Sequence, residues 1–165
     1  MPEHILIFGA TGLSGIEFCF SALQQGHQLT LLVRSPHKLP REIASNVNVT
    51  VIEGTFEDVK KLEQAAGAGP QIFISFAGPP GMSKGTHITN AMKLIFPMLV
   101  ANKYKRAMVL GTCSYPAPQD KVNATYTGYG DDGLFLSRKG MVRWVLQEMC
   151  EDSPWVGKAP AISNH

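Results

Sequence analysis

Three glycines near the start of the chain have the type and spacing to hold a phosphate. The apolar run Ile5-Leu6-Ile7-Phe8 passes directly into Gly9-Ala10-Thr11-Gly12-Leu13-Ser14-Gly15, a G-x-x-G-x-x-G pattern. The apolar run reads as a buried strand, and the amphipathic stretch after the glycines reads as a helix. Gly9 permits a sharp turn out of the strand. Gly12, without a side chain, lets backbone come close to a pyrophosphate, and Gly15 lets the helix pack tightly on the sheet. The first amides of that helix carry partial positive charge and have no acceptor within it, so they suit a phosphate. Strand before and helix after are the context that separates this pattern from an ordinary glycine-rich turn.

A second candidate follows at Val33-Arg34-Ser35-Pro36-His37-Lys38. In a dinucleotide-binding α/β fold, the tip of the second strand meets the adenosine ribose. An acid there binds the free 2′-hydroxyl of NAD, and an Arg accommodates the 2′-phosphate of NADP. The tip holds no Asp or Glu; Arg34 stands there, with Ser35 and Lys38 behind it. This favours NADP(H) over NAD(H). The alternative is that Arg34 and Lys38 are solvated loop charges.

The elements that must position these residues alternate in type. Ile16, Cys19, Phe20 and Leu23 fall at helical spacing and define the expected apolar face of the first helix, with Gly26 placed to end it. Residues 29–33 read as a second strand and 47–53 as a third. Thr55 or Asp58 is placed to cap a short helix over 59–66. Residues 72–76 read as a fourth strand, ending in Ala77-Gly78-Pro79-Pro80-Gly81. That small-residue turn serves equally as a ligand-facing strand end or as a rigid Pro-Gly loop. A stripe of Ile88, Ala91, Met92, Ile95 and Leu99 predicts a helix over 86–102, with a kink at Pro97. A fifth strand is expected over 107–110, then a polar loop, then a helix over 135–150 buried through Met141, Trp144, Val145 and Met149. Strands alternating with helices predict a parallel sheet covered on both faces.

Composition bounds the function. The chain has 165 residues, 44% hydrophobic and 17% charged, which suits one soluble domain with a real core. A formal net charge of +2 without a basic run gives no reason to expect a nucleic-acid partner. Cys19, Cys113 and Cys150 form no disulfide or metal pattern, which fits a reducing, cytoplasmic compartment. No apolar run approaches the ~20 residues of a membrane span. No metal site is expected.

Gly9-Ala10-Thr11-Gly12-x-x-Gly15, the Val33-Arg34 strand end and the Val51-x-x-Gly54 strand end occur together and in order. In this the chain resembles the atypical short-chain dehydrogenase/reductase superfamily, in particular its NmrA-like, NAD(P)H-binding branch. The resemblance covers roughly residues 4–155. It implies a Rossmann-like doubly wound sheet, with a dinucleotide lying across the carboxyl edge. It places Thr11, Gly12, Leu13 and Ser14 at the pyrophosphate and Arg34 at the 2′-phosphate. Thr55 and Phe56 fall beside the adenine, although an Asp is usual where Thr55 stands. Ala77 and Gly78 fall under the ribose, and Thr112, Cys113 and Ser114 at the strand end nearest the nicotinamide.

The superfamily's usual acid is a Tyr whose proton is made labile by a Lys four residues later, since the ammonium favours phenolate. No tyrosine here has that partner: Tyr104 is followed by Met108, Tyr115 by Gln119, Tyr126 by Gly130 and Tyr129 by Gly133. Tyr115 and Lys139 remain the candidate catalytic pair. Against that stand the plainer readings, a loop-packing phenol and a solvated helix charge.

Relatives usually continue into an apolar sixth strand and a substrate-binding region. Residues 156–165 instead read as an irregular tail, so a shortened member is expected, with residues 1–155 as the NAD(P)-binding domain. Two functions follow from the resemblance. One is a reductase moving hydride between the nicotinamide and a small carbonyl or conjugated substrate. The other is a non-enzymatic NAD(P) sensor acting through a protein partner.

Overall fold

The apolar runs form a five-stranded parallel sheet. The structure is a computed structural model and describes residues 1–78, 86–110, 137–149 and 152–157. Strands β1 (His4–Phe8), β2 (Gln28–Val33), β3 (Val49–Glu53), β4 (Ile72–Ser75) and β5 (Arg106–Val109) lie in the order β3-β2-β1-β4-β5. Every neighbouring pair is parallel, with Ile5 beside Leu29 on one side and beside Ile72 on the other. The helices are α1 (Leu13–Gln24), α2 (Arg41–Ala44), α3 (Val59–Gly67), α4 (His87–Ala101) and α5 (Arg138–Glu148). The expected Rossmann-like α/β fold is present.

Topology explains where the helices go. The chain steps one way along the sheet from β1 to β3, then crosses back and steps the other way through β4 to β5. Right-handed crossovers therefore put α1 and α2 on one face and α3 and α4 on the other. Leu6, Phe8, Leu32, Ile52 and Phe73 of the sheet pack against Leu62, Ala65 and Ala66 of α3 and Ala91, Met92, Ile95 and Leu99 of α4. Side chains alternate along a strand, so Ile5 and Ile7 face the opposite layer, and they too are fully buried. Each such side chain contributes roughly 1.5–3 kcal/mol on burial.

Several expectations need correction. The buried face of α1 is Gly15, Phe18, Cys19 and Ala22, while Phe20 is exposed. Small residues, Gly15, Cys19 and Ala22, make up most of that face, so its apolar signal is weak and the sequence pattern points part-way round the helix from it. The Phe18 ring lies 5.1 Å from that of Phe76. Strand β3 begins at Val49, and Val47 is fully exposed. Helix α2 was not expected; with four residues and one buried side chain, Ile43, it is too short to show a period. Asp58, rather than Thr55, caps α3, its carboxylate accepting from the Lys61 amide at 3.2 Å.

The chain divides into two compact units, Met1–Leu110 and Gly111–His165. The first holds the whole sheet. In the second, Ser137 caps α5 through a 3.0 Å bond from the Gly140 amide. Met141, Val142, Val145 and Met149 are buried, and Trp144 only half so. Beyond the helix, the buried Ser153 hydroxyl donates to the buried Glu148 carboxylate at 2.8 Å. Among the described residues no helix is long and apolar enough to cross a membrane.

Candidate functional site

Parallel strands bring their carboxyl ends to one edge. Phe8, Val33, Glu53 and Ser75 end there, so the turns that follow them share that edge. The chain's direction along the sheet reverses between β1 and β4, which makes the gap outside those two ends the crevice where such sheets take ligands.

The turns after β1 and β4 meet main chain to main chain. Gly9 has φ +78°, and a Cβ on it would stand 2.7 Å from the Ala77 nitrogen and 2.7 Å from the Phe76 carbonyl carbon. The Phe76 amide donates to the Phe8 carbonyl at 2.9 Å, which fixes the start of the turn after β4. The Ala77 amide donates to the Ser75 hydroxyl at 3.3 Å. A Cβ on Gly78 would meet nothing within 4 Å among the described residues.

The glycine turn then delivers the start of a helix. The Gly12 amide donates back to the Gly9 carbonyl at 3.1 Å, and the Gly12 carbonyl accepts from Ile16 at 2.8 Å. Helix α1 has no side-chain cap and no acidic residue in its first turn. Its leading amides keep their positive end free for an anion. Gly15 is buried, and a Cβ there would collide with the Gly9 carbonyl and stand 2.8 Å from Ala10 Cα. Thr11 and Ser14 are half-buried, while Leu13 is exposed.

Further along the edge, Arg34 follows β2 and is exposed; among the described residues it has no hydrogen-bond or ion-pair partner. Lys38 is exposed too, in a single 3₁₀ turn over Pro36–Lys38, with its amide donating to the Ser35 carbonyl at 3.0 Å. Gly54 ties β3 to β2 through a 3.0 Å bond from its amide to the Val33 carbonyl. A Cβ on it would stand 2.8 Å from Lys61 Cβ, so the approach of α3 requires a glycine.

The residues expected beside the adenine divide in character. Thr55 is exposed, and its hydroxyl accepts from the Glu57 amide at 3.3 Å. Phe56 is half-buried, its ring stacked on that of Phe8 at 4.8 Å and 29°. Phe8 in turn meets Phe73 edge-on at 4.9 Å. One face of Phe56 is thus committed to the core. Glu57 was not singled out in the sequence, and its isolated position gave no signal. Its carboxylate lies 3.6 Å from His87 at the start of α4. The Thr55 hydroxyl first, and His87 to a lesser degree, hold that carboxyl below its usual range.

Thr112, Cys113, Ser114 and Tyr115 lie outside the described residues. Lys139 is exposed in the first turn of α5, in the second unit. Tyr104 is structural: its hydroxyl donates to the Ala66 carbonyl at 3.1 Å, and burial pushes its pKa up. Burial also pushes the Cys19 thiol up to about 12. Among the described residues, no cluster of His, Cys, Asp or Glu could hold a metal ion.

The sequence matches the family described as NAD(P)H-binding over residues 9–130. This chain belongs to that NAD(P)H-binding family. The glycine turn and the uncapped helix start are features that suit a phosphate. The uncharacterised protein YwnB of Bacillus subtilis is 29% identical over 105 residues, which are 64% of this chain and 45% of that one. A short-chain dehydrogenase/reductase from Veillonella parvula, solved in complex with NADP, is 27% identical with a TM-score of 0.53. That match covers 66% of this chain and 47% of the other. WbmG of Bordetella bronchiseptica, solved in complex with NAD, is 21% identical with a TM-score of 0.58, over 66% of this chain and 37% of its own. The last likeness is one of fold alone. This chain spans less than half the length of each of these proteins. The expected kinship with atypical short-chain dehydrogenases/reductases is borne out.

Proposed function

We propose that this NAD(P)H-binding chain prefers NADP(H) and serves a reductase of the NmrA-like kind. The observation that carries the preference is Arg34: a guanidinium just past β2 that has no partner among the described residues, on the same edge as the uncapped start of α1. Lys38 adds a second cation nearby in sequence, and no acid stands at the tip to receive a free 2′-hydroxyl. The 27%-identical Veillonella protein bound to NADP supports the reading. On this reading, the amides of residues 11–14 take the pyrophosphate, Arg34 the 2′-phosphate, and Ala77 and Gly78 lie under the ribose. The bound cofactor supplies hydride to a small carbonyl or conjugated substrate, and the protein orients it. The family resemblance gives Thr112 and Ser114 to the nicotinamide end, Tyr115 the role of proton donor and Lys139 that of its support. The absence of any disulfide pattern supports a cytoplasmic address.

Calorimetric titration with NADPH and with NADH tests the preference. Tighter binding of NADPH is expected. Equal affinity removes the role given to Arg34, and binding of neither removes the dinucleotide reading altogether.

A second reading is favoured by one observation, the lack of a Lys four residues after any Tyr. On that reading the chain senses the cofactor and passes the signal to a protein partner. NADPH turnover on an aldehyde and quinone panel, abolished in Tyr115→Phe, decides for the reductase; binding without turnover decides for the sensor.

A further inference from the structure

At the opposite edge of the sheet, the amino edge, His27 is 5% exposed and sits between the end of α1 and the start of β2. Its backbone is held by the close of the helix. The His27 amide donates to the Ala22 carbonyl at 3.1 Å and the Gly26 amide to Leu23 at 3.0 Å, with Gly26 at φ +80°. These are the two bonds of a Schellman motif. The ring therefore has a fixed mounting. Its Nδ1 accepts a 2.9 Å hydrogen bond from the Glu3 backbone amide, and the Glu3 carbonyl accepts from Gln28 at 2.9 Å.

We propose that His27 is a pH-sensitive clasp: neutral, it holds the residues leading into β1 against the start of β2, and protonated on Nδ1, it lets them go. The reason is the kind of donor it faces. A backbone N–H cannot turn round to become an acceptor, so a proton on Nδ1 abolishes the bond and sets two donors against each other. His4 provides the contrast. Its Nε2 lies 2.8 Å from the Thr30 hydroxyl, which can rotate to accept, so protonation of His4 keeps that contact.

The charged groups facing His27 are few. The Glu3 carboxylate and a hydrogen bond to the Glu3 backbone favour the proton, the Met1 amino group opposes it, and the last turn of α1 carries no basic residue. Burial, the largest influence, lowers the affinity of the ring for a proton below its ordinary value of 6.5. A lowered pKa in the folded state means that the stabilisation is complete above 6.5 and is lost as pH falls below it.

Amide hydrogen exchange of the full chain, followed by NMR at about pH 7.5 and about pH 5.5 and corrected for intrinsic rates, tests the clasp. Protection of the Glu3 amide is expected to fall roughly two- to tenfold at the lower pH, the factor an ordinary hydrogen bond carries. Protection of the Ile7 amide, within β1, is expected to stay. In His27→Asn, whose Oδ1 replaces Nδ1 as an acceptor that does not titrate, Glu3 protection is expected to be equal at both pH values. Unchanged Glu3 protection in the wild type, a parallel fall at Ile7, or a pH response surviving in His27→Asn each overturns the proposal. Should His27→Asn fail to fold, the ring nitrogen shifts of wild-type His27 decide: a protonated Nδ1 at about pH 7.5 overturns it as well.

Discussion

Gly9 and Ala77 meet main chain to main chain, so closely that a Cβ on Gly9 would stand 2.7 Å from the Ala77 nitrogen. The contact joins the turn after β1 to the turn after β4 at the place where the sheet reverses direction. Gly9 also holds φ +78°, which side chains resist. Gly9→Ala is expected to cost about 2 kcal/mol or more, from backbone strain and collision together. Thermal or urea unfolding measures it; a loss below about 0.5 kcal/mol would show that the two turns part easily.

Gly12 makes the opposite case. A Cβ there would lie 3.4 Å from the Gly9 carbonyl, an ordinary contact, and its φ of −78° suits any residue. Gly12→Ala is expected to change stability by less than ~1 kcal/mol, the scale of an N-cap exchange. Affinity for NADPH is expected to fall at least tenfold, because the methyl group occupies the approach to the pyrophosphate. Unfolding and calorimetry on the same variant separate the two effects.

For Arg34→Ala, NADPH binding is expected to weaken by roughly 1.5–3 kcal/mol, the range of a hydrogen bond to a charged group, with NADH unchanged. Stability should not move, since the side chain has no partner among the described residues to lose. Equal weakening of both nucleotides would assign Arg34 to the diphosphate instead.

Helices α1 and α4 close with the same pair of bonds but not the same residue. At the end of α4, the Tyr104 amide reaches the Leu99 carbonyl at 3.0 Å and the Lys103 amide reaches Val100 at 3.0 Å. Lys103 holds φ 56° where α1 has Gly26. Lys103→Gly is expected to stabilise the protein by about 0.5–1 kcal/mol, as strain relief exceeds the entropy glycine adds to the unfolded chain. A rise in Tm checks it, and a fall would mean that the lysine stem packs more than its conformation costs.

Much of this could be read from residue order. The run from Ile5 to Gly15 carries strand, turn and helix in consecutive positions, because a period of two gives way to glycine and then to 3.6. The same local logic located five strands, α3 through its Asp58 cap region, and α4 through Ile88, Ala91, Met92, Ile95 and Leu99. Local patterns failed where burial is shared with small side chains, as with Phe18 beside Gly15 and Ala22, or where an element is too short to show a period, as with α2. What only the tertiary structure decided were relationships between distant residues: Phe56 stacking on Phe8, Gly54 yielding to Lys61, Glu57 reaching His87, and His27 receiving the Glu3 amide. Periodicity encodes which side of an element is apolar. Which neighbour that side meets depends on strand order and register, set when the whole sheet closes its hydrogen bonds at once.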